Sequence, residues 1–272
     1  MLETIKNNSK LTFIHANGFP PSSYSPLLLN FKNRYHLNNY LLRPLWKEKT
    51  SHLLLKDWNL LFDDFLKYII DIDSTIGMGH SIGGNIILRT ALSHPKKFSK
   101  LVLLDPTLFI PKIIYGWKFI LKLGLQAKIH PWINATLNRK MIYDNYEQIF
   151  KSYRNKDVFS RINDKNLKIY IDSIIKMDND NLHITYSKDW EYQIYKTGLV
   201  ADMFIWKNIH KLEMPCLIIR AEESNAFLNS SQKKIEKLNS KIDFLTLKGS
   251  THLFPLEYPQ KTYETIIEFL DN

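Results

Sequence analysis

The run "IGMGHSIGGNIILRTAL" constrains this chain more than any other stretch. It sets Gly79-His80-Ser81-Ile82-Gly83 between a buried-strand pattern and a helical one, the strand-turn-helix setting that a G-x-S-x-G elbow requires. A serine at so sharp a turn sits in strained backbone geometry. Its flanking positions must be glycine for strand and helix to approach each other. The hydroxyl is then lifted to the carboxyl edge of a sheet, at a helix N-terminus.

Such an elbow needs a parallel sheet around it, and the rest of the chain has the pattern of one. "LTFIH" (11–15), "NNYLLR" (38–43), "STIGMG" (74–79), "KLVLLD" (100–105), "CLIIRA" (216–221) and "KIDFLTL" (241–247) have the length and apolar character of buried strands. Helical spacing lies between them in "YSPLLLNFKN", "DWNLLFDDFLKYIID", "GGNIILRTALSHP" and "NSSQKKIEKLN", with a last helix from about Tyr258 to Leu270. The expectation is an α/β fold with a doubly wound, mostly parallel sheet. Residues 106–206 differ: they lack convincing two-residue alternation and are rich in aromatics, as in "YGWKFILKLGLQAKIHPWI" and "KDWEYQIYKTG". They read as a helical cap inserted into a core formed by 1–105 and 207–272. At 272 residues, the chain is long for one compact domain and short for two, which suits one domain with an insertion.

A serine hydroxyl is a poor nucleophile until a base takes its proton, so a histidine is needed on another loop at the same sheet edge. His252, in "LKGSTHLFPLEYP", follows the last strand pattern and precedes a helix. His15 and His80 flank motif positions, and the other histidines fall on helices or in the insertion. Two strand ends offer the acid that would orient the imidazole. After "CLIIRA" the chain reads Glu222-Glu223-Ser224-Asn225, without an aspartate; after "KLVLL" stands Asp105, which keeps the order Ser81, Asp105, His252. We read Asp105 as the acid, with Asn225 as the alternative acid position and Glu222 and Glu223 also open. An oxyanion hole needs backbone N–H donors. The small-residue turn in "FIHANGFPP" offers the amide of Asn17 to pair with that of Ile82, and Phe19 is an alternative donor.

Together "IHANGFPP", "GHSIGG", "LVLLDP" and "GSTHLFPLEYP" resemble the α/β-hydrolase superfamily, in particular its cap-bearing bacterial serine hydrolases. The resemblance implies a triad of Ser81, Asp105 and His252 with an acyl-serine intermediate. It implies hydrolysis of a carboxylic ester or thioester of a small apolar substrate. Carbon-carbon bond hydrolysis, acyl transfer, or ligand binding with little turnover are the alternatives within that fold. Dehalogenases and epoxide hydrolases resemble the fold but use an aspartate nucleophile, and here Ser81 holds that position. The chain departs from the family pattern in three places. So few residues precede Leu11 that the opening antiparallel strands should be reduced. The family's usual acid site aligns with Asn225, whereas haloalkane dehalogenases place the acid at the strand end that Asp105 matches. The loop "RPLWKEKT" replaces a glycine-rich turn, so Arg43 and Trp46 are candidates to shape the entrance.

Charge narrows the partners. The chain carries 37 Lys+Arg against 27 Asp+Glu, net +10, yet only seven of the cations are arginines and the lysines are scattered. That pattern lacks the clustered arginine forks of a nucleic-acid reader, so no nucleic-acid partner is expected. No run approaches the ~20 apolar residues of a membrane span, so no stable insertion is expected. The polar start "MLETIKNNSK" lacks a secretory core, and the single Cys216 cannot form an internal disulfide. The expected location is the cytoplasm, and the expected partner a small ester-like molecule. No cofactor or metal is expected, and no feature sets an oligomeric state.

Overall fold

The computed structural model describes residues 9–200 and 202–272. Residues 1–8, on which the expectation of no leader rests, lie outside the described residues. Six strands form one sheet: β1 (Lys10–Ile14), β2 (His36–Tyr40), β3 (Thr75–His80), β4 (Phe98–Leu104), β8 (Cys216–Glu223) and β9 (Ile242–Thr251). Their order is β2-β1-β3-β4-β8-β9, and every pairing is parallel. All six expected strands are present. The second is shorter at its end than "NNYLLR" suggests: its ladder stops at Tyr40 opposite Ile14, and the Leu42 amide turns instead to the His15 ring.

Helices on both faces explain why the inner strands β1, β3, β4 and β8 are buried along most of their length, whereas the edge strands β2 and β9 alternate or expose polar residues. Along β1, Leu11 and Phe13 enter one core and Ile14 the other; along β4, Val102 and Leu104 divide from Leu101 and Leu103 in the same way. Each fully buried side chain of this kind contributes roughly 1.5–3 kcal/mol. Cys216, at the start of β8, is buried and free, and burial pushes its thiol pKa up. The helices Asn59–Ile69, Ile82–Ser93, Asn229–Leu238 and Pro259–Asp271 lie where the spacing predicts them. "YSPLLLNFKN" does not form one helix but three single turns, Pro21–Tyr24, Ser25–Leu28 and Leu29–Phe31. Pro21 opens the first turn and Pro26 is the second residue of the next, positions at which proline's missing N–H costs no helical hydrogen bond.

Residues 106–206 are not purely helical. Besides helices such as Pro111–Lys122, Tyr146–Arg154, Asp164–Ile174 and Lys188–Thr197, they hold β5 (Ile142–Tyr143), β6 (Ile175–Asp178) and β7 (Asn181–Ile184). These form an antiparallel sheet in the order β5-β7-β6. Strands of two to four residues are too short to show alternation, which is why the sequence pattern hides them. Among the described residues, no helix is long and apolar enough to cross a membrane.

Candidate active site

Ser81 sits at the junction of β3 and the helix Ile82–Ser93 with φ 57° and ψ −120°, a conformation that L residues avoid. The elbow glycines are there because nothing larger fits. A Cβ on Gly83 would lie 2.2 Å from the Ile14 carbonyl oxygen, and one on Gly79 would lie 2.4 Å from the Gly83 backbone. The strain is held by hydrogen bonds across the sheet edge: the Ser81 amide donates to the Leu104 carbonyl (3.0 Å), and the Thr107 amide donates to the Ser81 carbonyl (3.0 Å).

Asp105 follows β4, also with positive φ (42°), and is fully buried. Its carboxylate receives three donors: the Ala221 amide on Oδ1 (2.9 Å), and the Ser224 hydroxyl (2.6 Å) and His252 Nδ1 (2.7 Å) on Oδ2. A carboxylate only accepts, so His252 carries its proton on Nδ1 and leaves Nε2 able to take another. The competing acids are engaged elsewhere. Glu222 accepts from the Gly249 amide (2.8 Å), and Glu223 pairs with Arg161 (2.8 Å). Asn225 lines the cavity without bonding His252. The strand end after β8 thus supplies an amide and a hydroxyl that hold the acid of its neighbour. Ser224 does so while its own oxygen accepts from the Ala226 (3.2 Å) and Phe227 (2.8 Å) amides.

The turn after β1 lies beside the elbow. The Phe19 amide is committed to the Ala16 carbonyl (3.2 Å), which removes it from the candidate donors. Among the described residues the amides of Asn17 and Ile82 donate to no protein group, and both residues line the same cavity as Ser81 and His252. The Asn17 side chain is anchored by the 106–206 segment: its Nδ2 donates to the Glu191 carbonyl (3.1 Å), and its Oδ1 accepts from the Tyr186 hydroxyl (3.1 Å).

Besides Ser224, sequence reasoning missed four residues that brace these loops. Thr107 receives the Ser81 hydroxyl contact (3.0 Å); no hydrogen bond joins Ser81 to His252 in this arrangement. Glu257 is buried and accepts the Thr251 amide (3.0 Å) and hydroxyl, fixing the turn into His252. His80 and Tyr24 connect all three loops. His80 Nε2 must donate to the His252 carbonyl (2.8 Å), so Nδ1 accepts from the Tyr24 hydroxyl (2.7 Å), whose oxygen accepts the Ala16 amide (3.2 Å). Burial and the neighbouring His252 hold the His80 pKa well below the usual histidine range, so this tautomer stays neutral. Only the "H" of "GHS" signals this link in the sequence. Arg43 pairs with Asp64, and Trp46 packs beneath its guanidinium at 5.1 Å; neither lines the cavity.

The cavity over Ser81 has a volume of about 290 Å³. Its walls are mainly apolar, with Trp58, Phe109, Trp117, Trp132 and Leu199 prominent, and no lysine or arginine is among the lining residues. Burial lowers the pKa of His130 in that wall to about 4, so it is an uncharged imidazole at neutral pH. Among the described residues no group of three or more His, Cys, Asp or Glu is arranged to hold a metal.

A model of the serine aminopeptidase S33 family (Hydrolase_4) matches residues 48–257. The chain is 22% identical over 287 residues to the uncharacterized hydrolase YugF of Bacillus subtilis, covering 98% of this chain and 93% of that one. It is 26% identical over 161 residues to the type I acyl-CoA thioesterase mpaH of Penicillium brevicompactum. That match covers 53% of this chain and only 35% of the relative's length. Among solved structures, E-2-(acetamidomethylene)succinate hydrolase superposes with a TM-score of 0.77 at 18% identity, over 97% of this chain and 92% of that one.

Proposed function

The chain belongs to the serine aminopeptidase S33 family of α/β-hydrolases, and from that premise we propose that it is a serine hydrolase acting on a carboxylic ester or thioester with an apolar acyl group. The observation that carries this reading is the 2.7 Å contact between His252 Nδ1 and Asp105 Oδ2 in the loop cluster around Ser81. In this mechanism the Ser81 hydroxyl leaves Thr107 by rotation about χ1, and His252 Nε2 takes its proton as Oγ attacks the acyl carbonyl. Asp105 stabilises the imidazolium. The amides of Asn17 and Ile82 donate to the oxyanion, each worth roughly 3–4 kcal/mol in the transition state. His252 returns the proton to the departing alcohol or thiol. It then activates the water that releases the acid from Ser81.

The uncharged, aromatic cavity wall favours an apolar acyl group over a multiply anionic substrate, and the partial match to a thioesterase supports including thioesters. Residues 106–206 act in this reading as the cap that sets acyl specificity. A fluorophosphonate probe with intact-mass detection tests the nucleophile directly. We expect one adduct on the native chain and none on folded Ser81→Ala, with ester and thioester turnover reduced by a factor on the order of 10⁴ or more in the variant. A folded native chain that takes no adduct would sink the mechanism and favour ligand binding without turnover. Transfer of the acyl group to an acceptor other than water would redirect the reading to acyl transfer.

A further inference from the structure

The stretch from 106 to 143 contains six cations, Lys112, Lys118, Lys122, Lys128, Arg139 and Lys140, and no acidic residue. Arg139 is engaged by buried Glu191, but Lys112, Lys118, Lys122 and Lys128 are exposed and make no ion pair among the described residues. On the helix Pro111–Lys122, Ile114 and Trp117 are buried. Tyr115, Phe119 and Leu123 recur every four residues on the opposite side and are 59%, 63% and 53% exposed. Gly116 beside them has open space where a Cβ would stand. Ile129 and Leu137, later in the segment, are exposed as well. An apolar stripe flanked by lysines, on a helix of 12 residues that is too short to span a bilayer, is the pattern of a helix lying in a membrane interface. The inner side of the same segment reaches the cavity over Ser81, because Trp117, His130 and Trp132 line it.

We propose that this face docks the protein reversibly on an anionic phospholipid surface, with Phe119 and Leu123 at the acyl boundary and the lysines among the headgroups. Charge selects this occupant. A second copy presenting the same face would set lysine against lysine with no carboxylate between, whereas anionic headgroups complement it. An apolar substrate dissolved in the bilayer would then meet the wall of the cavity. The docking claim does not depend on the hydrolase reading, since binding is measured without turnover.

The test is co-sedimentation of the full chain with vesicles of phosphatidylcholine alone or with phosphatidylserine. We expect binding to the anionic vesicles, weakened by added salt, and at least about tenfold weaker binding to neutral ones. Lys118→Gln with Lys122→Gln should lower the partition roughly fivefold per lysine. Phe119→Ser with Leu123→Ser should lower it about tenfold or more at unchanged salt dependence, with circular dichroism melts checking the fold. A folded native chain that ignores anionic vesicles, or folded double variants that bind as the native chain does, would overturn the proposal. So would a concentration-dependent dimer abolished by the Phe119/Leu123 pair without vesicle binding, which would assign the face to a second copy. Fluorophosphonate labelling of the same samples separates this failure from failure of the hydrolase reading.

Discussion

The sheet edge and the 106–206 segment treat buried polar atoms in opposite ways. At the edge, Asp105 has three donors, and both ring nitrogens of His80 and of His15 are hydrogen-bonded. In the 106–206 segment, His130 Nδ1, Arg139 Nε, Tyr153 Oη and Asp202 Oδ2 are buried without partners. Six of the nine buried side-chain atoms without a hydrogen bond among the described residues fall in that segment, one of them, Arg154 Nε, in an ion pair with Asp164 (3.2 Å), although the segment spans 101 of the 272 positions. A saturated network fixes one geometry, and each missing bond inside a protein costs about 1–3 kcal/mol. The contrast sets an edge held in one geometry beside a 106–206 segment with looser polar packing.

The largest effect should come from the edge. Asp105→Asn, with its amide oxygen kept on the Ala221 amide, sets an NH2 donor against His252 Nδ1, which imposes the wrong tautomer and should lower kcat by about 10⁴-fold, whereas Asn225→Ala should leave kcat near the native value. A larger loss in Asn225→Ala would move the acid to the other strand end. Tyr24→Phe tests the network around His80. The substitution strips partners from His80 Nδ1 and the Ala16 amide, so urea unfolding should show a loss of about 1–3 kcal/mol; an unchanged midpoint would mean that the network is replaceable.

The smallest effect should appear in the insertion and depend on pH. Burial pushes the Asp202 pKa up from 3.8 to about 8, and Oδ1 accepts from Asn85 (2.8 Å). Between those values the unfolded chain releases the proton that the folded chain keeps, so stability falls as pH rises and the penalty is absent at lower pH. Asp202→Asn should therefore melt above the native protein near pH 8, by a few degrees, and the gap should close towards pH 4. A gap of equal size at both values would show that Asp202 is ionised in the fold.

The legibility of the sequence follows the same division. The four inner strands were readable because burial on both faces makes them largely apolar, and the elbow because Gly79 and Gly83 are imposed by local backbone contact. The three-stranded sheet of the insertion was not, since β5 has two residues and its partners four each. Nor were Ser224, Thr107 and Glu257 readable as braces. Hydroxyls and carboxylates in loops are common, and nothing in their neighbours tells which distant group they meet.

By itself the sequence determined the parallel sheet, the strained serine and the two strand ends at which an acid could stand. These rest on short-range rules, the steric demands of a turn and the periodicity of buried strands. Which strand end faces His252, which amides stay free for an oxyanion, and which side of the helix Pro111–Lys122 looks outward were decided by tertiary structure alone. Each depends on groups brought together across the fold. The bond from His252 to Asp105 spans 147 positions, and that from His80 to the His252 carbonyl spans 172. At such separations neither propensity nor local pattern carries information, and only the packing of the sheet and its loops selects the partner.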